Sequence, residues 1–352
     1  ASKFKQPPHS KPTACLTNYR HTTEPTLSTP VTIIYHAACP DGFGAAFAAW
    51  KHFGVAARFC PMHHGEAWEV LGLDGQNTYI LDFSFPREAL EAMALVAHSV
   101  TQIDHHASAR APWAALLTNV DGLERFNHSD LPLAVIFDLD KSGARLAWEH
   151  FFPATPLPLP LCHIEDSDLW RFALPGTRVF GRALRLLPFD LATWDHLMDE
   201  ANTPTSPRYQ AMLTEGCAIE HFFQREIARL ADCRLVSPAM LRGEPVDALQ
   251  SIRHGQPIIS GKNSTWHATA GLAINADSLF ASELGNTLAE HSGTFGQIWQ
   301  LTADGEVKVS LRAIGKVNVA EIATRYGGGG HPNAAGFRMP VAEFLSEVLS
   351  MA

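Results

Sequence analysis

The sequence predicts an α/β protein, with a parallel-sheet domain first and a smaller α/β domain after a connecting helix. Three observations carry that reading. Short apolar runs alternate with helical patterns from Val31 to Phe152, the rhythm of βαβ units. Three of those runs end in residues of one chemical kind: Val31–Tyr35 leads to His36 and Asp41, Thr78–Leu81 to Asp82, and Val100–Ile103 to Asp104-His105-His106. A polar stretch over 190–207, with Pro204 and Pro207 near its end, then separates this half from a second set of strand patterns.

Taken in order, residues 1–30 are polar and rich in Pro and Thr, with no apolar signal-peptide core, and predict a loosely ordered tail. A strand over Val31–Tyr35 is followed by an Ala-rich helix over about Phe43–Phe53, stopped by Gly54. A short strand near Ala57–Pro61 and the strand Thr78–Asp82 come next. Ser84 is a candidate N-cap, with Pro86 near the first helical position of Arg87–Ala97. Strands over Val100–Ile103 and Leu133–Phe137, a helix over Ser142–Phe152 and a Pro-rich break over 153–160 complete the first pattern, which runs to about residue 190. Residues 191–232 are expected to form the linker and connecting helix, with apolar residues at helical spacing from Tyr209 to Leu230. In 233–352, strands are expected at Ala268–Ile274, Phe295–Leu301 and Val307–Ala313. A helix over Val319–Tyr326 and the loop Gly327-Gly328-Gly329-Gly330-His331 follow.

Composition narrows the function classes. With 352 residues, 46% hydrophobic and 18% charged, the chain has enough apolar content for two domain cores. The net charge of −9 argues against a sequence-blind grip on long duplex nucleic acid, which rests on many Lys and Arg contacts to phosphate. The six cysteines (Cys15, Cys39, Cys60, Cys162, Cys217, Cys233) include no Cys-x-x-Cys pair, against a disulfide scaffold or a zinc knuckle. No stretch approaches a membrane span, and the expected compartment is the cytosol.

The chemistry concentrates where parallel sheets bind ligands, beyond the carboxyl ends of their strands. A carboxylate such as Asp82 can bridge two cations, although an isolated Asp in a turn more often bonds local backbone. Asp41 doubles as a helix N-cap, and His36 by itself is as readily a core histidine as a ligand. Neighbouring His105 and His106 alternate in an extended segment, so one binds metal while the other faces another part of the pocket. Asp104 is then the partner that fixes an imidazole tautomer. Asp166-Ser167-Asp168 offers a further acid. The glycine run before His331 can present backbone N–H groups as an anion nest. Ser310 and Arg312, two apart on a strand, share a face from which Arg312 could fork onto a phosphate.

These motifs together resemble the DHH phosphoesterases that carry a DHH-associated C-terminal domain, the RecJ-like exonucleases and nano-RNases, over nearly everything from Val31 onward. His36 with Asp41-Gly42 resembles the first motif, Asp82 the second, Asp104-His105-His106 the third and Asp166 the fourth. Gly327 to His331 with Ala334-Ala335-Gly336 resembles the glycine signature of the second domain. The resemblance implies an active site in the cleft between the domains and two divalent cations, Mn²⁺ ahead of Mg²⁺ or Co²⁺. His36 and Asp82 would hold one; Asp41, Asp82, His105 and Asp166 would hold the other. His106 would contact the scissile phosphate, while Arg312, Gly328, Gly329, Gly330 and His331 would bind the nucleotide from the second domain. Asp168 is a rival to Asp166 for the fourth position. Cys39 departs from the family pattern, placing a thiol where the first of two acids is expected; such a ligand favours softer ions.

The expected activity is metal-dependent hydrolysis of short oligonucleotides or small (di)nucleotides, with His106, Asp82 and Arg312 as the catalytic groups. A non-catalytic nucleotide sensor with a degenerate first metal site, and a pyrophosphate or polyphosphate hydrolase, are the alternatives. The expected partners are a short nucleotide substrate, without long duplex or membrane, and homodimerisation is left open.

Overall fold

A computed structural model describes residues 29–63, 65–247 and 264–349. The tail expected over 1–30 lies outside the described residues except for its last two. The chain forms two compact units, Ala1–Ile219 and Glu220–Ala352.

In the first unit the chain order is β1 (Val31–His36), α1 (Pro40–Phe53), β2 (Ala57–Met62), β3 (Asn77–Leu81), α2 (Arg87–Val96), β4 (Ser99–Asp104) and α3 (Ala107–Arg110). Then come β5 (Thr118–Val120), β6 (Leu123–Asn127), β7 (Leu133–Phe137), α4 (Gly143–Phe151), α5 (Leu159–Asp168), α6 (Thr177–Leu184), α7 (Leu191–Glu200) and α8 (Pro207–Ala231), whose residues from Glu220 belong to the second unit. Seven strands lie in the order β2-β1-β3-β4-β7-β6-β5. The first five are parallel, and β6 and β5 extend the sheet antiparallel, an addition the sequence reading did not anticipate. Because β1 has β2 on one side and β3 on the other, the direction of winding switches beside β1, where such sheets open a ligand crevice.

Both faces of this sheet are covered, which is why its strands read as continuous apolar runs. Val31, Ile33 and Tyr35 of β1 join one core with α1, α4 and α7, while Ile34 joins the other with Leu90 and Met93 of α2. Small residues let α1 lie close on its neighbours: a Cβ on Gly44 would come within 2.9 Å of Ala144 Cβ. Residues 191–219, part of the expected linker and connecting helix, fall in the first unit and contribute to its core. Trp194 is fully buried there, with Leu197, Met198, Tyr209 and Met212.

The second unit holds β8 (Ser237–Asp247), β9 (Ser264–Asn275), α9 (Ala281–Ser292), β10 (Phe295–Leu301), β11 (Glu306–Ala313), α10 (Val319–Thr324), β12 (Gly329–His331), β13 (Ala334–Pro340) and α11 (Val341–Glu347). Its six strands run β12-β13-β11-β10-β9-β8, antiparallel except for the β9–β10 pair. Alternation in β11 sends Val307, Val309, Leu311 and Ala313 into the core, and Ser310 and Arg312 to the opposite face. No helix among the described residues is long and apolar enough to cross a membrane.

Candidate metal centre

Three strand ends and two helix ends build the site. After β1 the chain turns through Ala38, at φ 54°, into α1, which opens with Pro40 and Asp41. Gly42 permits the turn to close, since a Cβ there would sit 2.4 Å from the His36 carbonyl oxygen. That contact holds Asp41 and His36 at one end of the sheet. The Asp41 carboxylate accepts from the backbone N–H of Gly143 (2.6 Å) and of Ala144 (3.0 Å) in the first turn of α4, while Ser142 caps the same helix through Arg145 N–H. An anion at a helix N-terminus is stabilised by about 0.3–1 kcal/mol, and by up to about 2 in partly buried geometry.

Asp82 follows β3 at φ 51°, a left-handed conformation that Asp tolerates better than most residues. Its N–H still donates to Ile103 O (3.1 Å), so the β3 ladder carries it to the site. Gly143 makes room for it: a Cβ at 143 would lie 2.4 Å from Asp82 Cβ. From there Asp82 Oδ2 lies 3.7 Å from His36 Nδ1, and Oδ1 lies 3.2 Å from His105 Nε2.

Asp104 ends β4 fully buried. Its Oδ1 accepts from His105 N–H (2.8 Å) and His106 Nδ1 (2.7 Å), and its Oδ2 from the Ser84 hydroxyl. The tautomer that Asp104 fixes is therefore that of His106. Ser84 serves this carboxylate and does not cap α2, whose N-cap position is Pro86. His105 reaches the carboxylates: Nε2 lies 3.7 Å from Asp41, 3.2 Å from Asp82 and 3.5 Å from Asp168.

Asp168 corrects the expectation for the fourth acid. Both candidates lie on α5, and residues two apart on a helix face nearly opposite ways. Asp168, with its side chain 28% exposed, turns to His105. Asp166 turns away and accepts from Ala173 N–H (2.8 Å), Leu174 N–H (3.0 Å) and Thr177 Oγ1 (2.5 Å).

Among the donor groups whose ligand atoms lie mutually within 4.8 Å are two at the strand ends of the first unit: Asp41, His105 and Asp168, and His36, Cys39 and Asp82. The donor set fits divalent cations. Asp82 Oδ1 is buried without an aligned hydrogen bond, and imidazole with carboxylate suits such ions. Burial and the negative charges of Asp82 and Asp168 push the Asp41 carboxyl up, a like-charge strain that a cation relieves. Burial and the nearby carboxylates Asp82, Asp168 and Asp41 likewise push the Cys39 thiol up. Burial acts against ionisation of Asp82, but the close imidazoles of His105 and His36 and the charge of His106 outweigh it and hold its carboxyl low.

The imidazoles shift upward. Burial opposes their charge, yet bonding to Asp82 and the charges of Asp168 and Asp41 raise His105 to about 10, and Asp104 raises His106 to about 9. A cation reaching His105 must therefore displace a proton. Without metal, both groups contribute stability that is fully present below their ordinary value of 6.5 and lost as pH rises through 9 to 10. The metal-free protein is expected to lose melting temperature between pH 6.5 and 10, and a divalent ion to bind more tightly across the same interval. Thermal melts with and without chelator, paired with proton-release calorimetry, measure both; a flat profile without metal contradicts the assignment.

In the second unit, Arg312 is held locally. Its guanidinium donates to Ser282 Oγ (2.8 Å) and Leu311 O (2.8 Å), and its stem lies against Gly285 of α9. Burial lowers its pKa, partly offset by Glu283. Ser310 is on the same face, opposite Ile298 and Gly336. The expected glycine nest is corrected as well. Gly327 and Gly328 donate their N–H groups to Thr324 O and Ala323 O, closing the end of α10. Gly328 passes so near β13 that a Cβ would meet Gly336 O at 2.0 Å. Gly329, Gly330 and His331 form β12, the sheet edge, and Gly330 is at φ 141°.

Sequence reasoning missed Gly143, gave Ser84 only a capping role and undervalued Asp168. A Ser-Gly pair at the start of a helix pattern is the signal that could have found Gly143. Helical periodicity over Leu159–Asp168 could have separated Asp168 from Asp166.

Residues 273–352 match the DHHA1 domain family. An uncharacterized protein of Acanthamoeba polyphaga mimivirus is 27% identical over 322 residues, 86% of this chain, and the chain spans 66% of that relative's length. Among solved structures, a pGpG-specific phosphodiesterase, PggH from Vibrio cholerae, is similar with 12% identity and a TM-score of 0.42, covering 89% of this chain and 94% of that one. RecJ from Thermus thermophilus in complex with Mn²⁺ gives 15% identity and a TM-score of 0.43, over 90% of this chain and 50% of RecJ. The second unit thus carries a DHHA1 domain match, and acid and imidazole side chains stand at the strand ends of the first unit.

Proposed function

We propose that the chain is a divalent-metal-dependent phosphodiesterase acting on short oligonucleotides or small (di)nucleotides. The observation that carries this reading is the pair of adjoining donor groups, His36/Cys39/Asp82 and Asp41/His105/Asp168, with His105 Nε2 3.2 Å from Asp82. Two such ions supply Lewis acidity and a more acidic water for in-line attack on phosphorus. Mn²⁺ is the proposed ion, with Co²⁺ favoured over Mg²⁺ by the thiol of Cys39.

The chain's own residues do the rest. Asp104 takes the Nδ1–H of His106 and keeps that ring charged at neutral pH, so His106 presents Nε2 to a non-bridging phosphate oxygen and stabilises charge there. Asp41, locked onto α4, fixes the direction of one group, and Asp82 that of the other. In the second unit, Arg312, Gly329, Gly330 and His331 are proposed to bind nucleotide, with Ser310 beside Arg312. The net charge of −9 supports a small substrate over a long duplex.

The test is a substrate panel with Mn²⁺, Mg²⁺ or Co²⁺, products identified by mass: pGpG, pApA, a cyclic dinucleotide, 3′-phosphoadenosine 5′-phosphate, a five-mer and pyrophosphate. Cleavage of a nucleotide diester supports the reading, and cleavage of pyrophosphate alone overturns it. The departure at Cys39 favours one second reading, a nucleotide sensor, which takes over if nucleotides bind and none is cleaved. Cys39 has its own check. The Co²⁺-loaded protein is expected to show a thiolate-to-cobalt absorption band that Cys39→Ser removes; its absence in the wild type means that the thiol fills space and does not bind metal.

A further inference from the structure

Two residues beyond Asp168, the chain enters a segment of unusual build. Trp170 and Phe172 both adopt left-handed backbone, at φ 56° and 48°. Bulky residues rarely adopt this conformation unless their surroundings enforce it, and such positions cluster at ligand sites. The enforcement is visible. Arg171 N–H and Phe172 N–H donate to the Asp166 carbonyl at 2.9 and 3.2 Å, and Ala173 N–H and Leu174 N–H to its carboxylate. A buried chain backs that carboxylate: Tyr209 O–H donates to His163 Nε2, His163 Nδ1–H to Thr177 Oγ1, and Thr177 O–H to Asp166. In the network so formed, Asp166 is a positioning residue.

The segment held this way exposes an aromatic surface. Trp170 is 41% exposed and packs edge-on against Phe172, with centroids 4.9 Å apart at 76°. The Arg178 guanidinium lies 3.6 Å from the Phe172 centroid and 5.6 Å from that of Trp170. A fixed, partly exposed indole beside a stacked cation suits a planar ring attached to an anion. Two residues of chain reach at most about 7 Å, so the backbone of Trp170 stands close to that of Asp168.

From this we infer that Trp170, Phe172 and Arg178 form a stacking subsite for a nucleobase. The inference deepens the proposed function and rests on it for the class of ligand. The full chain is titrated with guanosine 5′-monophosphate, adenosine 5′-monophosphate and ribose 5-phosphate in the presence of Mn²⁺, and binding is followed by tryptophan fluorescence and calorimetry. The monophosphates are expected to bind about tenfold more tightly than ribose 5-phosphate, since stacking supplies the difference. Trp170→Ala should erase that preference, Arg178→Gln should reduce it, and Trp170→Phe should keep most of it. Equal binding of nucleotide and sugar phosphate by the wild type overturns the subsite, as does a preference that survives in folded Trp170→Ala. If no phosphodiester is cleaved but the preference is present and depends on Trp170, the subsite stands and the hydrolase reading falls.

Discussion

Asp82→Asn is expected to reduce phosphodiester hydrolysis well beyond the about 10- to 100-fold typical of losing a group that only supports a metal ligand. Asp82 stands between the two donor groups, 3.7 Å from His36 on one side and 3.2 Å from His105 on the other, so its carboxylate serves both. Asn is the informative replacement because it accepts the φ of 51° as readily as Asp, whereas Ala would add backbone strain to the loss of charge. The folded circular dichroism spectrum should persist, and the rise in melting temperature that divalent ions give the wild type should disappear. Hydrolysis within tenfold of wild type at saturating Mn²⁺ would sink the shared-carboxylate assignment.

Gly143→Ala is the second large effect, and it reaches the same carboxylate without removing any ligand. The added methyl would lie 2.4 Å from Asp82 Cβ and 2.6 Å from its Oδ1, a distance no side chain accepts. Either α4 backs away, losing the N–H bonds to Asp41, or Asp82 is displaced. Overpacking of this kind costs about 1–3 kcal/mol of stability. A misplacement near 1 Å at a reacting centre can cost about 100-fold in rate. Urea unfolding and kcat with Mn²⁺ measure the two parts. A variant with wild-type kcat would mean that the ligand cluster tolerates more movement than its packing implies.

The first half of the fold was legible because parallel strands covered on both faces leave dense apolar runs, and because each run ended on an acid or an imidazole. His36, Asp41, Asp82 and His105 lie together at the strand ends, and Asp104 bonds the His106 imidazole. What escaped was set by tertiary contact. The polarity of 190–207 looked like a boundary, yet Trp194 carries α7 into the core. Asp166 matched a motif by position, but the helix under it rotates Asp168 toward the site. Arg312 shares a face with Ser310 as strand periodicity dictates. Periodicity does not say what lies above that face, and α9 lies there. The glycine run promised free N–H groups, and the end of α10 takes two of them.

Asp41 has a consequence for descent and for engineering. The same carboxylate binds the first turn of a helix a hundred residues away in sequence and, through Oδ2, stands 3.7 Å from His105 Nε2, so the proposed ligand and α4 share one set of coordinates. A lineage cannot let α4 drift on the sheet without altering its ion chemistry, nor discard that chemistry without loosening the helix. Silenced relatives should therefore keep this aspartate long after losing the histidines. A designer moving the cluster to another scaffold would have to carry the first turn of α4 with it.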